Sequence, residues 1–315
     1  MTVVCLGELL IDFVAQEAGK LVGDVSGFQK AAGGAPANVA VAVRRLGYPS
    51  AFLGQVGDDP FGHYLAEVLH IDGVNVDGLR FSGVARTALA FVSLAEGGER
   101  SFVFYRHPSA DMLYQPQDID IQVLSSAKIF HFGSITLITE PSRSATLQAA
   151  TIARQNGALI SYDPNLRLAL WDSPESAKAG MFLGMGYADI IKLSEEELVF
   201  LVGKEDIQPL FDAYPNLKLV LITRGANGSM AYTRTEKIAD HKGYPVLAID
   251  TTGAGDSFMA GVLVGILEHG TAYESHFEEI LAFANAVGAI TTTGRGAIPS
   301  LPTRDQVRAF ITKMG

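Results

Sequence analysis

Cysteine is almost missing from the 315-residue chain. With Cys5 alone, no intrachain disulfide and no cysteine-rich zinc site can form, and a reducing compartment fits. Positive charge is also short. Lys and Arg total 24 against 34 Asp and Glu, a net charge of −10. Such a field does not draw in nucleic acid or an anionic membrane, although a local pocket can still oppose it and take an anionic substrate. Long apolar runs are absent too. The longest, Phe258–Leu267, falls far short of the ~20 residues of a membrane span. The opening stretch has no basic start and carries Glu8 and Asp12, which is unlike a secretory signal. A soluble cytoplasmic protein with no nucleic-acid or membrane partner is expected. Hydrophobic residues make up 48% and charged residues 18%, which provides for a large core and excludes disorder.

What is present is glycine-punctuated alternation. Apolar runs of strand length lie at Val3–Leu6, Ala51–Val56, Ile129–Phe132, Ala158–Ser161, Asp189–Leu193 and Leu217–Thr223. Helical periodicity fills segments between them. Pro36–Leu46 opens on proline and stops at Gly47, and Ser142–Gln155 follows Pro141 and stops at Asn156-Gly157. Continuous buried strands alternating with helices predict a doubly wound, mostly parallel α/β sheet with helices on both faces. One region departs from this. Thr87–Leu94 and Arg100–Tyr105 read as strands joined by a turn over Ala95–Glu99. With the short polar segment Val14–Gln29, they form either a small projecting sheet or a surface hairpin.

Three places suggest chemistry. In Asp250-Thr251-Thr252-Gly253-Ala254-Gly255-Asp256-Ser257, small residues precede an apolar helix. Backbone N–H groups and a helix N-terminus there can cradle phosphate oxygens. A carboxylate at Asp256 would repel phosphate, yet it suits a base that takes a proton from an attacking hydroxyl. The plainer alternative is a capped helix start. No Walker A lysine follows. In Gly33-Gly34-Ala35-Pro36-Ala37-Asn38, glycines allow close approach to backbone, and Asn38 offers an amide to hydroxyls or to its own turn. Asp12 ends an apolar run and is either an acceptor for two sugar hydroxyls or a turn residue.

Gly33–Gly47 continued by Gly54-Gln55-Val56-Gly57-Asp58-Asp59-Pro60-Phe61-Gly62 resembles the N-terminal signature of the ribokinase-like (PfkB-type) carbohydrate kinases. Asp250–Phe258 resembles their C-terminal signature. The resemblance covers the chain and is closest to the fructokinase branch, through Phe104-Tyr105-Arg106, Ser109-Ala110-Asp111-Met112-Leu113, Glu140–Ser144, Ser161–Arg167 and Ile191–Leu198. It implies one ribokinase-like domain over residues 1–315, with a small β-sheet lid inserted at roughly 14–30 and 84–108.

The resemblance also implies roles. Asp256 is the catalytic base, and the amides around Gly253, Ala254 and Gly255 form the anion hole. Asp12, Gly33, Gly34 and Asn38 hold the sugar, with Phe104 and Arg106 brought down by the lid to exclude water. Arg167 faces the transferred phosphate or makes a surface salt bridge. Thr223, Gly225, Ala226, Gly228 and Asn285 take ATP. Mg²⁺ is held through water by Glu197, in Ser194-Glu195-Glu196-Glu197, where relatives carry Asn at the position of Ser194. Glu195 and Glu196 read as a solvated first helical turn. K⁺ takes oxygens from Asp250, Thr252, Thr291, Gly294, Gly296 and Ser300.

The implied reaction is transfer of the ATP γ-phosphate to the 6-hydroxyl of D-fructose. A 2-keto-3-deoxygluconate kinase is the alternative within the fold, and a non-catalytic sugar-binding regulator the alternative outside it. Intact Asp256 and flanking glycines favour an enzyme. A homodimer through the lid is the expected assembly.

Overall fold

A computed structural model describes residues 2–17, 19–94 and 100–314. The turn expected over Ala95–Glu99 lies outside the described residues. In chain order the strands are β1 (Thr2–Leu6), β2 (Leu10–Ala15), β3 (Phe28–Gly33), β4 (Ser50–Gly57), β5 (Leu79–Ser82), β6 (Ala88–Leu94) and β7 (Arg100–Tyr105). They continue with β8 (Ala127–Gly133), β9 (Leu159–Asp163), β10 (Ile190–Ser194), β11 (Leu219–Thr223), β12 (Ser229–Tyr232) and β13 (Lys237–His241). The helices are α1 (Ala35–Arg45), α2 (Pro60–Ile71), α3 (Ile121–Ser125), α4 (Ser142–Gln155), α5 (Pro174–Met185) and α6 (Glu195–Val202). After them come α7 (Gln208–Ala213), α8 (Ala254–His269), α9 (Phe277–Thr292), α10 (Ala297–Ser300) and α11 (Arg304–Met314).

Nine strands form one sheet in the order β13-β12-β11-β10-β9-β8-β1-β4-β5. It is parallel from β5 to β11, and β12 and β13 add an antiparallel edge. The alternation of side chains along each strand divides the core in two. Val3, Cys5, Phe52 and Leu221 face one side and pack with α1, α8 and α9. Val4, Leu6, Leu53, Phe130 and Ile222 face the other and pack with α4 and α5. Each such fully buried side chain contributes about 1.5–3 kcal/mol, so the two faces together fix the sheet. The doubly wound architecture read from the sequence is the one found.

The small sheet has the order β3-β2-β6-β7. Its central pair, β2 and β6, runs parallel, and β3 and β7 flank it antiparallel. Phe13 stacks on Phe91 with ring centroids 5.0 Å apart, and Phe28 meets Phe91 edge-on at 5.2 Å. These aromatic contacts join three of the strands. The segment Val14–Gln29 is not strand throughout. β2 and β3 enclose a 3₁₀ turn at Val22–Asp24. Among the described residues no helix is long and apolar enough to cross a membrane.

Candidate active site

Helix α8 starts on Gly253, whose φ of 79° is left-handed. A Cβ there would lie 2.6 Å from the Ala297 Cβ, so conformation and space both demand glycine. Ala254 N bonds Thr251 O at 3.3 Å, and the amides of Gly255 and Asp256 follow in the first turn, ahead of any intrahelical acceptor. They aim the helix N-terminus at whatever binds above it.

Asp256 sits in that turn, 7% exposed. Asn38, near the start of α1, donates its Nδ2–H to Asp256 Oδ2 at 2.8 Å. Asn165 donates to Oδ1 at 3.3 Å. Burial pushes the carboxyl up to about 6, the Asn38 bond opposes this, Asp163 adds to it, and Lys192 and Arg167 pull it down. A carboxylate with that affinity is ionised at neutral pH and still basic enough to take a hydroxyl proton. The buried Oδ1 of Asn38 has no hydrogen-bond partner among the described residues. An unpaired buried acceptor beside a base is costly unless a ligand hydroxyl reaches it.

The turn before α1 is as tightly built. A Cβ on Gly33 would fall 2.2 Å from Asp12 Oδ2, and one on Gly34 would fall 2.3 Å from Glu8 O. The glycines therefore let β3 pass against Asp12 and the buried Glu8. Phe104 on β7 packs on Leu10, Ala88 and Ala90. Arg106 turns inward and donates to Asp111. Asp12, Gly33, Gly34, Asn38 and Asp256 are thus brought to one place, with Phe104 and Arg106 on the lid side.

Beneath Asp256 lies a second buried charge pair. Lys192 Nζ meets Asp163 Oδ2 at 2.8 Å. Burial would lower the ammonium, but Asp163, Glu197 and Asp256 outweigh it and raise its affinity for the proton. The same Nζ lies 3.3 Å from where a Gly255 Cβ would stand. Ser161 Oγ is 2.9 Å from His131 Nδ1, and burial lowers that imidazole to about 4, so it is neutral. His131, Ser161, Asp163 and Lys192 occupy the strand positions that face α8. Asp163, Asn165 and Lys192 were given no role from the sequence, although the segments containing them carried the resemblance. The available signal was charge inside strands otherwise built of Ile, Leu and Phe.

Asn165 has φ 47°, a left-handed conformation that asparagine tolerates better than most residues. Its Oδ1 accepts from Arg167 Nη1 at 2.7 Å, which links Arg167 through Asn165 to Asp256. Glu197 is buried. Its Oε1 accepts from Leu166 N at 2.7 Å and its Oε2 from Ser194 N at 2.9 Å. Ser194 Oγ returns the bond by accepting from Glu197 N at 3.1 Å, a capping box at the start of α6. Ser194 therefore serves the helix start here, and Glu197 anchors the loop carrying Asn165.

A cavity of about 620 Å³ opens beside the α8 N-terminus. Thr223, Gly225, Ala226, Gly228 and Asn285 all line it, together with Ala254 and Gly255. The segment Lys242–Val246, which the sequence did not single out, forms another wall. Asn285 spends both amide hydrogens on Ser229 Oγ and Leu281 O, each at 2.7 Å. Only its carbonyl oxygen can serve a ligand, and then as an acceptor.

Asp250 ties two loops together. Its Oδ1 accepts from Thr252 N at 2.9 Å and Thr252 Oγ1 at 2.6 Å, and its Oδ2 accepts from Gly296 N at 2.9 Å. Gly294 lies against Ser300, and Gly253 against Ala297 and Thr291. These contacts bring the loop at Asp250–Gly253 against the segment from Thr291 to Ser300, the two places where the six residues expected around a monovalent cation lie.

Comparisons with known proteins identify the family. The chain matches the pfkB family carbohydrate kinase over residues 1–304. It is 50% identical over 314 residues to a probable fructokinase-2 of Arabidopsis thaliana, covering 98% of this chain and 95% of that one. A fructokinase with bound ATP from Xylella fastidiosa superposes with TM-score 0.91 at 36% identity, covering 99% and 98% of the two chains. A double-mutant fructokinase from Vibrio cholerae O395, in a fructose, ADP and potassium ion bound form, gives 0.86 at 37% identity over 98% of each. On the family match and these identities, the chain belongs to the pfkB family of carbohydrate kinases.

Proposed function

We propose that the protein is an ATP-dependent fructokinase that transfers the γ-phosphate to the 6-hydroxyl of D-fructose. One observation carries the reading. A buried carboxylate, pushed up to about 6, stands in the first turn of α8 between an unpaired Asn38 acceptor and a nucleotide-sized cavity. The relatives named fructokinase support the choice of sugar.

The reaction divides among the residues as follows. Fructose rests on Asp12, Gly33, Gly34 and Asn38, and the lid residues Phe104 and Arg106 keep water out. ATP lies along Thr223, Gly225, Ala226, Gly228 and Asn285. Asp256 takes the proton of the 6-hydroxyl as its oxygen forms the new bond to phosphorus. The bridging P–O bond breaks, and ADP leaves with that electron pair. The amides of Gly253, Ala254 and Gly255, with Arg167, meet the charge that develops on the phosphoryl oxygens. Each such donor contributes about 3–4 kcal/mol at a preorganised site.

Glu197, both of whose oxygens already accept from backbone amides, would hold Mg²⁺ through water, and the ion would offset the charge of the nucleotide. K⁺ fits the loop pair held by Asp250. Assembly through the lid belongs to the same reading, supported by Val103 and Tyr105, which are exposed on one face of β7. So do a single domain over 1–315 and a cytoplasmic location. The test is ADP release with fructose present and absent. Turnover that requires fructose supports the reading, and none with any sugar points to a binding protein on a kinase fold.

A further inference from the structure

Arg106 follows the last residue of β7 and is 5% exposed. Its Nε donates to Asp111 Oδ2 at 3.1 Å, and its Nη2 donates to the same oxygen. Ser109 Oγ donates to the other carboxylate oxygen. Asp111 is 2% exposed, and its segment is pinned by Ala110 N donating to Arg86 O at 2.8 Å. A third charge stands close. Glu8 is buried, and its Oε1 accepts from Ala35 N at 2.9 Å, directly after the Gly33-Gly34 turn. Burial pushes Glu8 up to about 7, with Arg106 lowering it and Asp111 raising it.

Arg106, Asp111 and Glu8 thus sum to between zero and minus one near neutral pH. A guanidinium bound by its own carboxylate has its charge already answered. It can still hydrogen-bond a neutral hydroxyl, since arginine has five N–H donors and Asp111 takes two. It cannot compensate a second carboxylate brought in by a ligand, which would enter a buried site uncompensated.

We propose that Asp111 determines specificity: by occupying Arg106 it sets the sugar pocket for a neutral ketohexose and against a hexulosonic acid. This rests on the reading above that Arg106 closes the sugar site from the lid side.

The test compares kcat/KM for D-fructose, 3-deoxy-D-fructose and 2-keto-3-deoxy-D-gluconate. The last two differ only in a hydroxymethyl or a carboxylate at C1. The wild type is expected to prefer the neutral sugar of that pair by ~10³-fold or more. Asp111→Asn removes the charge and keeps the shape, so the preference should fall by at least ~30-fold, mostly through faster turnover of the acid. A purely structural role would lower both sugars together and leave the ratio unchanged, which overturns the proposal. If Asp111→Asn does not fold, Ser109→Ala loosens the same carboxylate mildly. It should move the ratio the same way by about threefold, the low end of what one hydrogen bond contributes, and an unmoved ratio overturns the proposal. Wild-type indifference to the C1 group overturns it as well. If fructose itself is not turned over, the activity reading falls and this one with it. If fructose is turned over without discrimination at C1, only this one falls.

Discussion

The two ends of the site are built from different materials. The nucleotide cavity is walled by Thr223, Gly225, Ala226, Gly228, Ala254 and Gly255, small residues that present mostly backbone. The proposed sugar and phosphoryl end is built of buried, paired side chains: Asp256 hydrogen-bonded to the Asn38 amide, and the ion pairs Asp163–Lys192 and Arg106–Asp111. Backbone walls tolerate sequence change as long as they stay small. A buried charge network does not, because removing one member leaves another uncompensated. Substitutions at the charged end should therefore act through kcat and pH, and those at the nucleotide end through the KM for ATP.

The sharpest break is Asp256→Asn, which keeps shape and removes basicity. It should lower kcat by ~10²–10⁴ with the fold retained, and near wild-type turnover by a verified variant would remove Asp256 as the base. Next is the pair beneath it. Burial pushes Asp256 up to about 6, so if it is the base kcat/KM should decline as pH drops through that value and the carboxylate gains a proton. Lys192 lowers the affinity of Asp256 for a proton and Asp163 raises it. Lys192→Met should therefore move the acid limb to higher pH, and Asp163→Asn to lower pH. Both variants should lose stability: Lys192→Met by about 3–5 kcal/mol, because it leaves the Asp163 carboxylate without its partner, and Asp163→Asn by less, because Glu197 and Asp256 still act on Lys192. Limbs shifted in the same direction would show that the pair acts only as scaffold.

How much of this contrast was legible in the sequence differs by end. The anion loop and the Gly33-Gly34 turn are legible as glycine-marked helix starts, with plainer uses open to both, and the nucleotide loop is legible only through the family resemblance. Asp256 and Asn38 stood out as polar residues at the starts of apolar helices. The pair beneath them did not. The strand read as Ala158–Ser161 continues to Asp163, since Tyr162-Asp163-Pro164 looks like a strand exit by composition. Only the sheet shows that Asp163 and Lys192 face α8 from neighbouring strands. Glu197 was legible as an acid but not as an anchor, because its partner Leu166 N is 31 positions away. The antiparallel edge β12–β13 is short and polar and gave no strong period.

A smaller effect is expected from the cation. Asp250 holds the anion loop to the segment containing Gly296, so an ion coordinated there would order the same amides. Replacing a bulky organic cation by K⁺ at constant ionic strength should raise kcat several-fold, roughly the worth of one ordinary hydrogen bond. A flat response would take the monovalent ion out of the mechanism and leave Asp250 as a loop tie. It would also narrow the contrast between the two ends, since the anion loop would then be ordered by the protein alone.

The smallest effect should come from the nucleotide end itself. Asn285 reaches the cavity from α9, and both its hydrogens are committed to Ser229 Oγ and Leu281 O. Its one contribution to ATP is an acceptor oxygen. Asn285→Ala removes that oxygen and opens a small space, while Ser229 Oγ loses a donor at 0% exposure. The loss of one neutral hydrogen bond is worth about 1 kcal/mol, so the KM for ATP should rise about fivefold and the KM for fructose should not move. Because the contact is the same in ground and transition states, kcat should stay near the wild-type value. A kcat falling as far as in the Lys192 or Asp163 variants would mean that Asn285 reaches the reacting phosphate, and the division between a backbone-built and a charge-built end would not hold.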